Sequence, residues 1–551
     1  MGTLLARMAT YRVSSDPMRF VLAAAAALFG ASSLYAQSAP PRLVVFLSVD
    51  QGRAEYLERF RPALEGGLLF LLERGVVFSE THHAHANTIT APGHASLSTG
   101  RFPSHSGIVA NDWYEREEER GVYCIEDRDS PLLPVAGQEG RRPESLGRSP
   151  KRLRADGLGD WIQDRFRGSK VYSVAGKDRS AVLMGGKKPD GAFWFDGETG
   201  QWVTSRYYEK EYPDWVREFQ ERRLADAYFG RTWEPLPVAE AVLSSMKIEP
   251  TGAGTKDSGI PKVIGRGTLS EDAGFYHSLF ETPFLESYLL AFAETLVREE
   301  ELGADEATDL LALGFSSIDS VGHDYGPNSR ELLDAVLRLD RELGAFLRFL
   351  DRTIGLGHVA VALSADHGVA PLPEYQARHG LPGRRMTRSE AACIARAGKR
   401  EWFEAPLFFD TKALAKEGIE YEEAEARVAK EIAACPGVVR VWTRRALEGA
   451  GSGVADDPML LAFARTSYPG RSPDLFVQFE EGLIDENDGT THGSPYPYDS
   501  HVPGIVVWPG VPARILDEEI ATVDLPVTIA SLLGVKAPAD VDGIDRSALI
   551  R

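Results

Sequence analysis

Seven residues of this chain have side chains that hold divalent metals or attack an ester: Asp50, Thr90, Asp319, His323, Asp366, His367 and His492. They sit in five short contexts, LVVFLSVD, NTITAPGHAS, DSVGH, ALSADHG and THGSPYPYD. Carboxylates and neutral imidazoles ligate divalent transition metals, and two such metals beside an alcohol make a hydrolytic centre. Asp319 and His323 are spaced one helical turn apart, so a helix puts both on one face. With one further His they make a metal site that leaves positions for substrate and water. Asp366-His367-Gly368 follows the apolar run VAVAL. A charged pair at the end of a buried strand needs a partner, and a metal is one. Each piece also has a plain alternative: a surface Asp–His pair, an ordinary Asp-His-Gly turn, Asp50 as a helix cap, or His492 as an exposed loop residue.

Thr90 lies in TITAPGHASLSTG. Pro92 and Gly93 interrupt the extended segment before an Ala/Ser/Leu stretch that can form a helix. A hydroxyl there sits at a helix N-terminus, where N–H groups favour an anion. Threonine is a poor nucleophile at neutral pH, and metal coordination is one of the few ways to activate it. Thr88 and Ser96 are the competing hydroxyls. His82, His83, His85 and His94 lie close by in sequence without ligand spacing, and read as structural residues or as supports behind the ligands.

These residues must be positioned by regular elements. Apolar, β-rich runs alternate with helical patterns, which argues for an α/β fold with a mostly parallel sheet wrapped by helices. The strand candidates are Leu43–Val49, Lys170–Val174, Leu310–Phe315, His358–Ser364, Leu475–Phe479 and Gly504–Trp508. The clearest helices are Pro283–Leu302, with Thr282-Pro283 as cap and first turn, and Ser329–Thr353, which repeats Leu332, Val336, Leu339, Leu343, Phe346 and Leu350. Asp50 and Asp366-His367 fall at strand ends, where open α/β sheets bind ligands. Two stretches, 185–275 and 372–470, break the strand–helix rhythm and read as insertions that cover the site or build a smaller lobe.

The chain has 551 residues, 43% of them apolar and 26% charged, as in ordinary globular proteins. That length suggests about two to four units, but large α/β hydrolases often grow as one domain with insertions, here 37–551. Residues 1–36 read as an export signal: Arg7, Arg12 and Arg19 precede the apolar run Phe20–Gly30, and small residues lead to Ala36. Met18 is an alternative start, and an uncleaved anchor the alternative fate. Export implies a periplasmic or secreted protein with no stable membrane partner. The formal net charge is −20. Without residues 1–36 it becomes 58 − 80, or −22. Such acidity argues against a nucleic-acid partner and requires an anionic substrate to be drawn in locally by metals and a few placed cations. Cys124, Cys393 and Cys435 have no metal-type spacing. Either two of them pair and one is left over, or all are buried thiols.

With these residues in view, the chain resembles the alkaline phosphatase superfamily, and within it the bacterial PafA-type alkaline phosphatases, relatives of the nucleotide pyrophosphatase/phosphodiesterases. The likeness runs from VDQGR through NTITAPGHASLSTGRFPSHSGIVAN, WVTSRYY, DSVGHDYGPNS, SADHG and THGSPY to VDLPVTIASLLGV. It implies an alkaline-phosphatase-like sheet with inserted cap segments and two Zn2+ ions about 4 Å apart. One zinc would be held by Asp319, His323 and His492, the other by Asp50, Asp366 and His367, with Thr90 as nucleophile between them. Asn111, in GIVANDWY, matches the family asparagine that binds a non-bridging phosphoryl oxygen; read alone, it is a turn residue. Lys177-Asp178-Arg179 matches the Lys-x-Arg pair of the monoesterases, and read alone it is a solvated loop. Two cations suit the doubly charged phosphoryl group of a monoester. The resemblance therefore implies an exported phosphomonoesterase acting on small phosphate monoesters through a phosphothreonine.

The rival on the same metals is a phosphodiesterase or nucleotide pyrophosphatase. A sulfatase is disfavoured, because Thr90-Ala91-Pro92-Gly93 lacks the Cys/Ser-x-Pro-x-Arg pattern. A phosphoglycerate-mutase-like role fits poorly with export, and a non-catalytic binding protein fits poorly with seven filled positions.

Overall fold

Strand Leu43–Val49 (β1) is buried along its whole length, and its side chains divide by parity between two apolar clusters. Leu43, Val45, Leu47 and Val49 face one cluster, while Val44 and Phe46 face the other. A period of two with both faces apolar is the pattern of a sheet covered by helices on both sides. The computed structural model describes residues 39–135, 147–252, 255, 259–267, 270, 272–397, 403–450 and 457–551. The segment read as an export signal lies outside them. Among the described residues no helix is long and apolar enough to cross a membrane.

The main sheet contains β1 together with Val76–His82 (β2), Val171–Ala175 (β3), Gly191–Asp196 (β4), Gln201–Val203 (β5), Asp309–Phe315 (β6), Val359–Ser364 (β7), Gly504–Val507 (β8) and Arg514–Ala521 (β9). Their order is β9-β2-β8-β7-β1-β6-β3-β4-β5. The neighbours β7, β1, β6, β3 and β4 are parallel, whereas β8 is antiparallel to both its neighbours and β5 is antiparallel to β4. The fold is thus mixed α/β around a mostly parallel sheet, as expected.

Two expectations need correction. Leu475–Phe479 is a strand, but it pairs antiparallel with Val438–Thr443 outside the main sheet. It contributes Leu475 to a small separate core with Phe409, Leu414, Val428 and Ile432. The stretch 185–275 is not wholly an insertion, since β4 and β5 extend the main sheet. Their Trp- and Phe-rich letters hid a short buried hairpin. In the segment 372–470, Cys393 and Cys435 form a disulfide, with Cα atoms 5.8 Å apart. Cys124 is free and buried.

Five helices matter for the site: Thr90–Thr99 (α1), Asp178–Gly185 (α2), Phe284–Glu299 (α3), Ser317–Tyr325 (α4) and Arg330–Thr353 (α5). The Ser329 hydroxyl caps α5 by accepting the Leu332 N–H at 3.1 Å. From the middle of α5, the buried Asp340 carboxylate accepts the N–H groups of Glu65, Gly66, Leu68 and Leu69 at 2.8, 2.7, 2.8 and 3.2 Å. It thereby caps the helix Gly67–Arg74 from another element. Replacing Asp340 with alanine leaves several of these donors unpaired in a dry interface, at a cost of about 3 kcal/mol. Denaturant unfolding of Asp340→Ala should show that loss with turnover per folded molecule unchanged; a shift below about 0.5 kcal/mol would mean water replaces the carboxylate.

Candidate active site

Four adjacent parallel strands deliver the site. Asp50 follows β1, Lys177 follows β3 by one residue, α4 starts just beyond β6, and Asp366-His367 lie just past β7. Their carboxyl ends converge because parallel strands all point the same way. Thr90 is the first residue of α1, and the extended residue Ile89 precedes it.

The ligand-type residues named from sequence lie close to one another, but the trio around Asp319 holds His367 where His323 was expected. His367 Nε2 lies 3.4 Å from Asp50 Oδ1 and 3.3 Å from Asp366 Oδ2. His323 Nε2 and His492 Nε2 lie 3.3 and 3.6 Å from Asp319 Oδ1. Two groups have one ligand atom per residue within 4.8 Å of the others: Asp50, Asp366 and His367, and Asp319, His367 and His492. The His367 ring stacks on that of His492 at 3.5 Å, so His367 stands between the two groups. Thr90 Oγ1 is 3.5 Å from His367 Nε2. Of the competing hydroxyls, Thr88 Oγ1 donates to Ser494 O at 2.7 Å, and Ser96 is buried inside α1.

The three imidazoles share one arrangement. The Nδ1–H of His323, His367 and His492 donates to the backbone oxygen of Thr490, Gly368 and Thr88 at 2.8, 2.9 and 2.9 Å. That bond fixes the tautomer and leaves Nε2 with its lone pair. In each case Nε2 then faces carboxylate oxygens. Lone pairs facing lone pairs in a buried site call for a cation between them. Asp50 Oδ1 is buried and accepts no hydrogen bond. The donor set therefore fits divalent metal on tautomer, burial and chemistry alike.

Charge is unevenly compensated here. Lys177 Nζ lies 2.6 Å from both Asp50 Oδ2 and Asp319 Oδ2, joining the two ligand groups. Burial works against the Asp319 carboxylate, but Lys177 and His323 hold it well below the usual range. Burial and the nearby charge of Asp366 push Asp50 well above it, despite Lys177. His492 is driven well below the usual imidazole range, by burial and then by His367. A neutral His492 is what ligation requires.

Arg179 Nη2 reaches Thr90 Oγ1 at 3.4 Å. Lys177 and Arg179 are thus not a solvated loop. Lys177 precedes α2, Arg179 sits in its first turn, and Lys177 is only 9% exposed. Asn111 Oδ1 accepts the Ala91 N–H at 2.9 Å, which fixes the amide beside the start of α1. Gly93 lets that turn press on the strand end: a Cβ there would lie 2.1 Å from Asp366 O. Gly93→Ala should cost about 1–3 kcal/mol. By moving Thr90 away from Asp366, it should also lower kcat/KM about a hundredfold. Thermal unfolding and kinetics check this, and wild-type values in both would show that the contact yields freely.

Comparison with known proteins agrees with the geometry. The family described as type I phosphodiesterase / nucleotide pyrophosphatase matches residues 44–495. The chain belongs to this family, within the alkaline phosphatase superfamily. Among family relatives, it is 31% identical over 517 residues to alkaline phosphatase PhoV of Synechococcus elongatus, covering 91% of each protein. It is 31% identical over 519 residues to alkaline phosphatase PafA of Elizabethkingia meningoseptica, covering 91% of this chain and 93% of PafA. The crystal structure of wild-type PafA superposes with a TM-score of 0.82 at 30% identity, over 93% of this chain and 99% of that one. A PafA variant with a threonine, an asparagine, a lysine and an arginine replaced gives a TM-score of 0.81 at 30% identity, with the same coverage.

Several residues that support the site were given no definite role from sequence. Gln51, in the left-handed region at φ 66°, donates its N–H to Asp366 Oδ1 at 3.2 Å and its Nε2–H to Asp319 Oδ1 at 2.9 Å. It ties both ligand groups together, and its place next to Asp50 was the one available clue. His94, read as a support, lies 3.1 Å from Asp366 Oδ2 and donates to Thr90 O. Asp178 accepts Tyr123 Oη–H at 2.5 Å and Arg148 Nε–H at 2.7 Å, and so holds the base of Arg179. Glu286 of α3 accepts the Ser317 N–H at 2.7 Å and fixes the start of α4. Tyr123, Arg148 and Glu286 lie outside every motif, and no local pattern marks them.

Proposed function

We propose that the protein is an exported, metal-dependent phosphoric monoester hydrolase, an alkaline phosphatase with Thr90 as nucleophile. The observation that carries this reading is the pair of cations at the site of a strongly acidic protein, the buried Lys177 between Asp50 and Asp319 and the half-buried Arg179 reaching Thr90. A monoester brings two negative charges on its terminal oxygens, and two preset cations match them. In the PafA variant, the replaced threonine and asparagine have the separation of Thr90 and Asn111, and the lysine and arginine that of Lys177 and Arg179. That correspondence supports the same assignment here.

Asp319, His323 and His492 would hold one Zn2+, and Asp50, Asp366 and His367 the other. When bound, such a pair activates a coordinated alcohol or water and neutralises charge on the entering and leaving oxygens. Thr90 Oγ1 forms a bond to phosphorus while the bond to the leaving alcohol oxygen breaks. The phosphoryl group, now on Thr90, is then displaced by water and leaves as phosphate, which restores the hydroxyl. Arg179 donates to the transferring group. Asn111, its carbonyl already engaged by Ala91, offers its amide N–H groups. Lys177 balances Asp50 and Asp319. The work is largely positioning and fixed charge. A groove of about 540 Å3 starts at His492 and is lined by Trp113, Phe408, Phe463, Phe476 and Tyr496. It would receive the alcohol portion of the ester.

The family description names a diesterase activity, and that is the second reading. A diester has one charge fewer and a second bulky group to seat beside Arg179, so it makes less use of the cations of the site. Zinc-loaded protein should be assayed on matched aryl phosphate monoester and diester. A higher kcat/KM for the monoester supports the proposal, and preference for the diester overturns it.

A further inference from the structure

Outside the site described above, three more ligand-type side chains converge where β2 ends. Glu80 and His82 are two residues apart on the strand, so they share a face, while Thr81 and His83 are buried on the other. His501 stands opposite His82 in an antiparallel bridge. The two imidazole rings stack at 4.5 Å with 17° between their planes, and His82 Nε2 lies 3.2 Å from Glu80 Oε2. One ligand atom from each of the three residues lies within 4.8 Å of the other two.

The backbones that carry these side chains are fixed independently of them. Thr522 N–H donates to His82 O at 2.9 Å, His83 N–H to Ser500 O at 2.8 Å, and Ala54 N–H to His501 O at 3.2 Å. The His501 ring is oriented by its Nε2–H, which donates to Ser79 O at 2.8 Å. A backbone carbonyl that takes one ring proton, leaving the other nitrogen with its lone pair, is the usual support of a metal-ligating histidine. The three active-site imidazoles are also held by a backbone oxygen, there through Nδ1–H. Partial exposure of all three residues leaves room for ion entry and for completing water ligands.

We propose that Glu80, His82 and His501 form a separate binding site for a divalent transition metal. Two imidazoles and a carboxylate suit Zn2+. The ion would clamp the end of β2 to the backbone that pairs with it at His501. This site does not depend on the reaction assigned above, because none of its residues touches Thr90 or the ligand groups around it.

The test compares the full chain with its His82→Ala/His501→Ala variant after dialysis against the same free zinc. Metal content is measured by mass spectrometry, with thermal unfolding in parallel. Wild type should retain one more zinc per chain than the variant, and added zinc should raise its unfolding temperature more. Turnover of an aryl phosphate should stay the same in both. Equal zinc content overturns the proposal, leaving an ion pair beside a ring stack. If the double variant does not fold, Glu80→Gln and His82→Gln are measured singly. A lower zinc content in both is expected, and wild-type content in both overturns the site.

Discussion

Thr90→Ala is expected to lower kcat/KM for an aryl phosphate monoester by about four powers of ten, roughly 5 kcal/mol of transition-state stabilisation. The hydroxyl is the group that would bond to phosphorus, and no other hydroxyl stands in its place: Thr88 donates to Ser494, and Ser96 is buried within α1. Bound metal and unfolding temperature should stay at wild-type values, because Thr90 supplies one methyl and one hydroxyl to a helix already fixed through Asn111 and His94. Acid quench during turnover, followed by peptide mass spectrometry, should find a phosphoryl group on the peptide containing Thr90 in wild type and none in the variant. Retention of more than about a tenth of the activity would show that the bond to phosphorus forms elsewhere.

The double variant Lys177→Ala/Arg179→Ala should lose monoester activity by about 10^2- to 10^4-fold, from two charge-assisted hydrogen bonds of about 1.5–3 kcal/mol each. Loss on a matched diester should stay below about tenfold, since one charge fewer is presented. Lys177 also neutralises Asp50 and Asp319, so its removal alters the ligand carboxylates as well as substrate binding. Arg179→Ala separates the two effects. It contacts Thr90 and Tyr123, and should lower monoester turnover with metal content intact. Equal losses on the two substrates would mean that the cations serve the scaffold and not the second charge of a monoester.

Much of this protein could be read from its letters. The largely apolar runs before Asp50 and Asp366 read as buried strands, and a buried parallel strand that ends in a charge places that charge at the carboxyl end of the sheet. One helical turn between Asp319 and His323 fixes a shared face. Local order also favoured α5, whose apolar residues recur at helical steps and whose Ser329 caps it. The seven ligand-type residues, with Asn111, Lys177 and Arg179, were named on those grounds and on the family resemblance, and the structure gathers them around Thr90.

What only the tertiary structure decided depends on long-range pairing. Leu475–Phe479 has strand-forming letters, but letters do not choose a partner, and it joined Val438–Thr443 instead of the main sheet. The short hairpin of β4 and β5 looked like an insertion because its burial comes from α3 and its neighbours, through rings such as Phe193, Trp202 and Phe292. The choice of Cys393 with Cys435 follows from tertiary contact between helix Arg388–Ala397 and the turn just past helix Tyr421–Ala433, not from spacing. The same holds for chemistry. Sequence could nominate His323, His367 and His492 as ligands, but not the backbone carbonyls that turn every Nε2 toward a carboxylate. Nor could it show Gln51 joining the two groups, or Glu80 and His82 meeting His501 across a bridge. Side-chain type and local period are properties of neighbours in the chain, whereas charge balance and convergence are set by atoms far apart in sequence, which only folding brings into contact.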